Sequence, residues 1–134
     1  MDRDPRSLNR RLAVIPELRQ RWTDALRSGR YQRTQSSLRT CDGYCCLGVL
    51  ADIIDPKGWT LTDDHSTFVH NRAKKNDEYD GDAYLADHTL TEVGMSDSVQ
   101  NTLAVQNDDG KSFQQIATWI ETHDLITGEE VVKP

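Results

Sequence analysis

The sequence predicts an α+β domain: a small antiparallel sheet with about four helices packed mainly on one of its faces. Three observations carry that prediction. Residues 38–54, LRTCDGYCCLGVLADII, change periodicity across an Asp42-Gly43 turn, from an extended segment to an apolar helix. Residues 112–120 hold the cleanest helical stripe in the chain. Between these segments, residues 59–61 and 67–69 have the short aromatic and β-branched character of strands.

In chain order, residues 1–14 are rich in arginine and read as loosely docked. Pro16 suits a first helical turn, Leu18, Trp22, Ala25 and Leu26 form one apolar stripe, and Ser28-Gly29 ends that helix. Residues 31–40 alternate weakly and read as an edge strand, a position from which a second copy could pair to give a homodimer. From Cys45 to Ile54 the apolar spacing is helical, and Asp55-Pro56 stops it. Residues 83–85 are expected to close a second hairpin with the Phe68 segment. The charged run 71–82 lacks periodicity and suits a mobile tip or a functional lid.

Thr89 to Gly94 reads as a helical turn or short loop, and Ser96 to Gln106 as a helix broken by Asn107-Asp108-Asp109-Gly110. Ser112 with Gln115 forms a capping box, followed by Phe113, Ile116, Ala117 and Ile120 at i, i+3, i+4, i+7. Residues 128–134 read as a loosely ordered tail. The 134 residues suit a single domain, 1–134, long enough to fold without a disulfide or metal.

Composition narrows the function classes. The net charge of −6 hides an asymmetry: residues 1–39 hold ten arginines and four acids, net +6, and residues 40–134 hold six basic and eighteen acidic residues, net −12. The simplest account is that one block packs against the other. A second account is a phosphate-binding face, because guanidinium suits bidentate contact with phosphate. The acidic remainder would repel a duplex, which argues against nucleic acid as the partner. No apolar run reaches membrane length, and the arginine-rich start, which lacks an apolar stretch, is not expected to act as a secretory signal. Three cysteines within six positions read as reduced thiols in a cytoplasm.

Motifs for chemistry are incomplete. Cys41 with Cys45 and His65 with His70 have zinc-like spacing, but the histidines lie in a β segment and Cys45 opens an apolar helix, so no metal or other cofactor is expected. Cys45 or Cys46 at a helix N-terminus could carry a lowered thiolate pKa, yet no base can be paired with either from sequence. The 107–112 stretch lacks the full spacing of a calcium or phosphate loop. Catalytic residues are therefore not assigned.

Residues 22–31 (WTDALRSGRY), Leu38-Arg39 with residues 43–49 (GYCCLGV), and residues 107–110 (NDDG) with Ser112-Phe113, Ile116-Ala117 and Ile120-Glu121 form a familiar set. The set resembles a family of small proteins encoded by bacteriophages and prophages, mostly without assigned function. The likeness covers residues 20–54 and 99–122. Cys41 is not part of that pattern, and Gln106 stands where the pattern has an apolar residue.

The resemblance implies a counter-defence context in the host cytoplasm. Three functions follow as expectations: sequestration of a phosphorylated nucleotide signal without turnover; inhibition of a host protein through an acidic face that mimics nucleic acid; or a small cofactor-free hydrolase. For the first, the candidate ligand-binding residues are Tyr31, Arg33, Arg39, Tyr44, Cys45, Asn107 and Asp109. Arg33 and Arg39, six apart on the expected strand, would share a face. Tyr31 and Tyr44 would stack on a base, and the N-terminus of the Cys45 helix would offer backbone N–H groups to phosphate.

Overall fold

The computed structural model describes residues 5–75 and 82–131, with side chains from residue 15 onward. The elements run α1 (Pro5–Arg27), β1 (Arg39–Thr40), β2 (Gly43–Tyr44), α2 (Cys46–Ile54), β3 (Trp59–Leu61), β4 (Phe68–His70), α3 (Asp87–Val93), α4 (Asp97–Asp108) and α5 (Phe113–Thr122). The α+β class read from the sequence holds: five helices accompany two small two-stranded antiparallel sheets, β1–β2 and β3–β4.

The apolar stripe of α1 is buried as its spacing requires, through Leu18, Trp22, Ala25 and Leu26. Trp22 has no exposed surface, and its indole N–H donates to the Cys46 carbonyl at 2.9 Å, which fixes α1 against α2. The helix is longer than expected and begins at Pro5, so Pro16 lies in its interior rather than in its first turn. A proline there already has a helical φ and gives up one backbone bond on an exposed face. Rather than lying along a sheet edge, α1 packs against α5, α2 and α3.

Helix α2 is the buried centre. Cys46, Leu47, Gly48, Val49, Leu50 and Ala51 are all buried, and Cys45 caps the helix by accepting the Gly48 N–H through sulfur. A Cβ at Gly48 would run into the Leu38 carbonyl, so only glycine lets the helix lie this close to the preceding loop. Leu47, Leu50, Phe113, Ile116 and Ile120 belong to one core, with Ile53 partly buried against it. Ser112 and Gln115 form the capping box that opens α5.

The expected strand over residues 31–40 does not form. Only Arg39 and Thr40 pair as a strand, and Arg33 makes one isolated parallel bridge with Tyr44. Ser36 turns the chain at φ 71°, and polar groups elsewhere hold this loop: Asp108 accepts the Ser36 N–H, and the Asp82 carbonyl accepts the Leu38 N–H. The edge-pairing argument for a homodimer loses its strand.

Trp59, Thr60 and Leu61 pair with His70, Val69 and Phe68. A bridge between Thr40 and Thr67 brings the two sheets together and sets Arg39 beside Phe68. Leu85 bridges Ala73 rather than closing a hairpin with the Phe68 segment. The short turn expected at residues 89–94 is the helix α3, ended by Gly94 in the left-handed conformation. The presumed tail is paired as far as Val131: Glu130 bridges His123, and the Val131 N–H reaches the Thr122 carbonyl. Of the charged 71–82 run, residues 76–81 lie outside the described residues, as do 1–4 of the N-terminal arm and 132–134 of the tail.

Candidate functional site

Tyr44 is flanked on both sides by backbone. On one side it is paired with Arg39 in the hairpin. On the other, Arg33 bridges it, with the Thr34 N–H donating to the Tyr44 carbonyl and the Tyr44 N–H to the Gln32 carbonyl, both at 2.8 Å. Arg33 and Arg39 therefore flank one tyrosine from two different segments, instead of sharing one strand.

Four half-buried aromatic rings run outward from this point. Tyr31 meets Tyr44 edge-on at 4.9 Å between centroids, Tyr44 meets Trp59 at 5.9 Å, and Trp59 meets Phe68 at 6.3 Å. The Arg39 guanidinium lies over three of them, 4.2 Å from the Phe68 centroid, 4.9 Å from Tyr44 and 5.4 Å from Trp59. These distances are within the range of cation–π attraction. Among the described residues no carboxylate pairs with Arg39, and three rings surround its guanidinium.

Asp52 holds the rings from behind. Its carboxylate accepts the Tyr31 hydroxyl at 2.7 Å and the Trp59 indole N–H at 3.0 Å. Burial, together with the Asp52 hydrogen bond and charge, pushes the Tyr31 phenol up to about 12. The same burial raises Tyr44. His70, buried at the far end, stacks edge-on against Trp59 at 4.4 Å. Its Nδ1 takes the Arg72 N–H, so the Nε2 side donates to the Asp55 carbonyl, both at 2.9 Å.

The remaining candidates serve as scaffold. Asn107 is fully buried: its amide oxygen accepts the Cys46 N–H at 3.1 Å, and its amide nitrogen donates to the Thr34 carbonyl at 2.8 Å. Arg33 donates to the Asn107 backbone carbonyl at 2.9 Å, a cation at the C-terminal end of α4. With Asn107 and the Cys45 sulfur occupying it, the α2 N-terminus is closed to an outside phosphate. That corrects the expectation that this helix end contributes to the site.

Cys45 and Cys46 are ordinary buried thiols of the core, the reading that an apolar helix start favours over a lowered thiolate. Burial pushes Cys45 up to about 11 and Cys46 well above its ordinary range, so neither is a ready nucleophile. Cys41 is exposed and lies against the His65 carbonyl. Among the described residues no group of three or more His, Cys, Asp or Glu side chains could hold a metal ion. Asp109 is the exposed cap at the C-terminal end of α4.

Beside Tyr31 opens a cleft of ≈ 210 Å³, walled by Leu26, Tyr31 and Phe113 and rimmed by Arg33, Ser112 and Gln114. The fold thus brings Tyr31, Arg33 and Arg39 around Tyr44, buries Cys45 and Asn107, and makes Asp109 the exposed cap of α4. Sequence reasoning missed Asp52, Trp59 and Phe68. The signal for Asp52 was a lone carboxylate between Ala51 and Ile53 in an otherwise apolar helix.

The profile of the family described as Domain of unknown function (DUF8296) matches residues 14–124, and the chain belongs to that family. Comparison with curated proteins and with solved structures returns no match. Among the described residues no helix is long and apolar enough to cross a membrane.

Proposed function

We propose that this member of the DUF8296 family binds a phosphorylated, nucleotide-type small molecule and holds it without turning it over. The observation that carries the reading is the Arg39 guanidinium, set among the Phe68, Tyr44 and Trp59 rings with no acidic partner among the described residues. An arginine whose position is set in advance loses less freedom when it grips an anion. Tyr31 and Arg33 extend the same surface. Burial, which raises Cys45 and Cys46, argues against the hydrolase that either thiol would have served.

The likeness to small phage and prophage proteins supplies the context: a protein acting in the host cytoplasm that removes a nucleotide signal on which a defence system depends. The competing reading, inhibition of a host protein, draws on the outer face of α4. There Val105 is 58% exposed in an open groove with Asp97, Asn101 and Gln106.

Protein produced in a bacterial host, purified under native conditions and then denatured, separates the two. Nucleotide sequestration predicts release of about one equivalent of an ultraviolet-absorbing phosphorylated compound, identified by mass spectrometry. Stable co-purification of a host protein with no released compound would transfer the function to the α4 face.

A further inference from the structure

We infer that the outer face of α4 is a self-association surface, and that its occupant is the arginine-bearing start of α1, residues 5–14, of a second copy of this chain. The inference is independent of the nucleotide-binding reading. Helix α4 turns Val99, Gln100, Leu103 and Asn107 into the core. Its outer side carries Asp97, Asn101, Val105 and Asp108, which helical spacing places in one stripe, and all four are exposed. Val105 sits in an open groove of ≈ 570 Å³. From Asp97 to Asp108 the helix holds no basic residue, and Asp109 adds a third acid at its C-terminal end.

The charge that suits this stripe lies elsewhere in the same sequence. Residues 5–14, PRSLNRRLAV, hold Arg6, Arg10 and Arg11 and no acid, and their backbone is helical. The two charge blocks, +6 over residues 1–39 and −12 over residues 40–134, do little to neutralise each other within one chain. Among the described residues only Arg27 forms an ion pair across them, with Glu121. Arg19, Arg21 and Arg33 donate instead to backbone carbonyls at the C-terminal ends of α3, α2 and α4, and Arg39 lies among aromatic rings. Acids left without cations inside the chain attract the arginines of a neighbouring copy. Arginine also suits a groove with an apolar residue in it: its aliphatic stem can lie on Val105 while the guanidinium reaches a carboxylate of the stripe. A nucleic acid is repelled by the same acids.

The test is sedimentation velocity on the full chain at about 20 mM and about 500 mM salt, because ion pairs across an exposed interface weaken with screening. At low salt the wild type should run as a dimer or larger, and high salt should weaken the association at least tenfold. Two variants alter the two surfaces separately: Arg10→Glu with Arg11→Glu, and Asn101→Lys with Val105→Lys. Asn101 and Val105 are exposed, so the lysine variant leaves the core intact. Each variant should be monomeric at low salt, with a melting temperature close to that of the wild type. An equal mixture of the two should associate again, because each then meets the opposite charge on the other. If the glutamate variant does not fold, the lysine variant decides alone: a monomer supports the inference and association as in the wild type overturns it. A wild type that is monomeric at low salt, or a mixture of folded variants that stays monomeric, also overturns it. A host protein held on the Val105 face of a monomeric chain overturns it as well and gives the groove to that protein.

Discussion

The side-chain amide of Asn107 bridges two separate backbones, taking the Cys46 N–H at 3.1 Å and giving its own N–H to the Thr34 carbonyl at 2.8 Å. One buried residue at the end of α4 thereby locks the start of α2 to the loop that carries Arg33. Replacing it with alanine leaves two buried backbone groups unpaired, each costing about 1–3 kcal/mol. Asn107→Ala is expected to lose roughly 2–4 kcal/mol in urea unfolding, on the same scale. A loss under about 0.5 kcal/mol, the level of an ordinary surface change, would mean that water replaces the bridge.

The buried thiols give the protein an alkaline limit. Folding keeps Cys45 protonated up to about 11, whereas the unfolded chain releases that proton near its ordinary 9.0. The stability that depends on the protonated thiol is thus complete below pH 9 and is lost as pH rises from 9 toward 11. The slope is about 1.4 kcal/mol per pH unit for each such group. Cys46, raised well above its ordinary value, and Tyr31, raised to about 12, act in the same direction. Urea unfolding from pH 8 to 10.5 should show a decline that is shallower by about one proton in Cys45→Ala. Parallel curves for the two proteins would contradict the burial of this thiol.

Asp52 should be visible through Tyr31. Burial is the larger cause of the raised phenol, and the Asp52 hydrogen bond and charge follow. In Asp52→Asn the charge goes and burial stays, so Tyr31 should titrate below about 12 but still above 10. The ultraviolet difference spectrum against Tyr31→Phe isolates that ring, and Trp59 emission should shift as its indole partner weakens. An unmoved Tyr31 titration would show that the carboxylate does not hold the rings.

Much of the helical fold was legible because it is written in local terms. Ser112 with Gln115 and the spacing of Phe113, Ile116 and Ile120 specify α5 without help from elsewhere. The apolar run after Asp42-Gly43 does the same for α2. Residues 31–38 resisted because their conformation is set by distant partners: Asp82, Asp108 and Asn107 hold the backbone, and Ser36 adopts a left-handed φ that nothing beside it announces. Pro16 misled because a helical proline is as compatible with an interior turn as with a first one when the missing bond faces solvent.

The site was half legible for a similar reason. Arg39 and Tyr44 flank a two-residue hairpin and could be placed together from the turn alone. Phe68 and Trp59 come from a second hairpin, joined to the first only through the Thr40–Thr67 bridge, and no local pattern foretells that contact. Asn107 looked like part of a polar break and is instead the buried end of α4, because its amide finds two partners that the sequence places far away.

The central claim is that Arg39 is kept in place by aromatic rings so that its N–H edge can bind an anion. Isothermal calorimetry of wild type and Arg39→Ala against the nucleotide released from the native protein, with melting temperatures measured on the same samples, tests it most directly. The expected result is a loss of at least about 2 kcal/mol in binding, the scale of a charged hydrogen bond, with the melting temperature shifted by no more than a few degrees. Undiminished affinity in Arg39→Ala, or a loss of binding that merely follows a collapse in melting temperature, would contradict it and leave Arg39 as a residue that only joins the two hairpins.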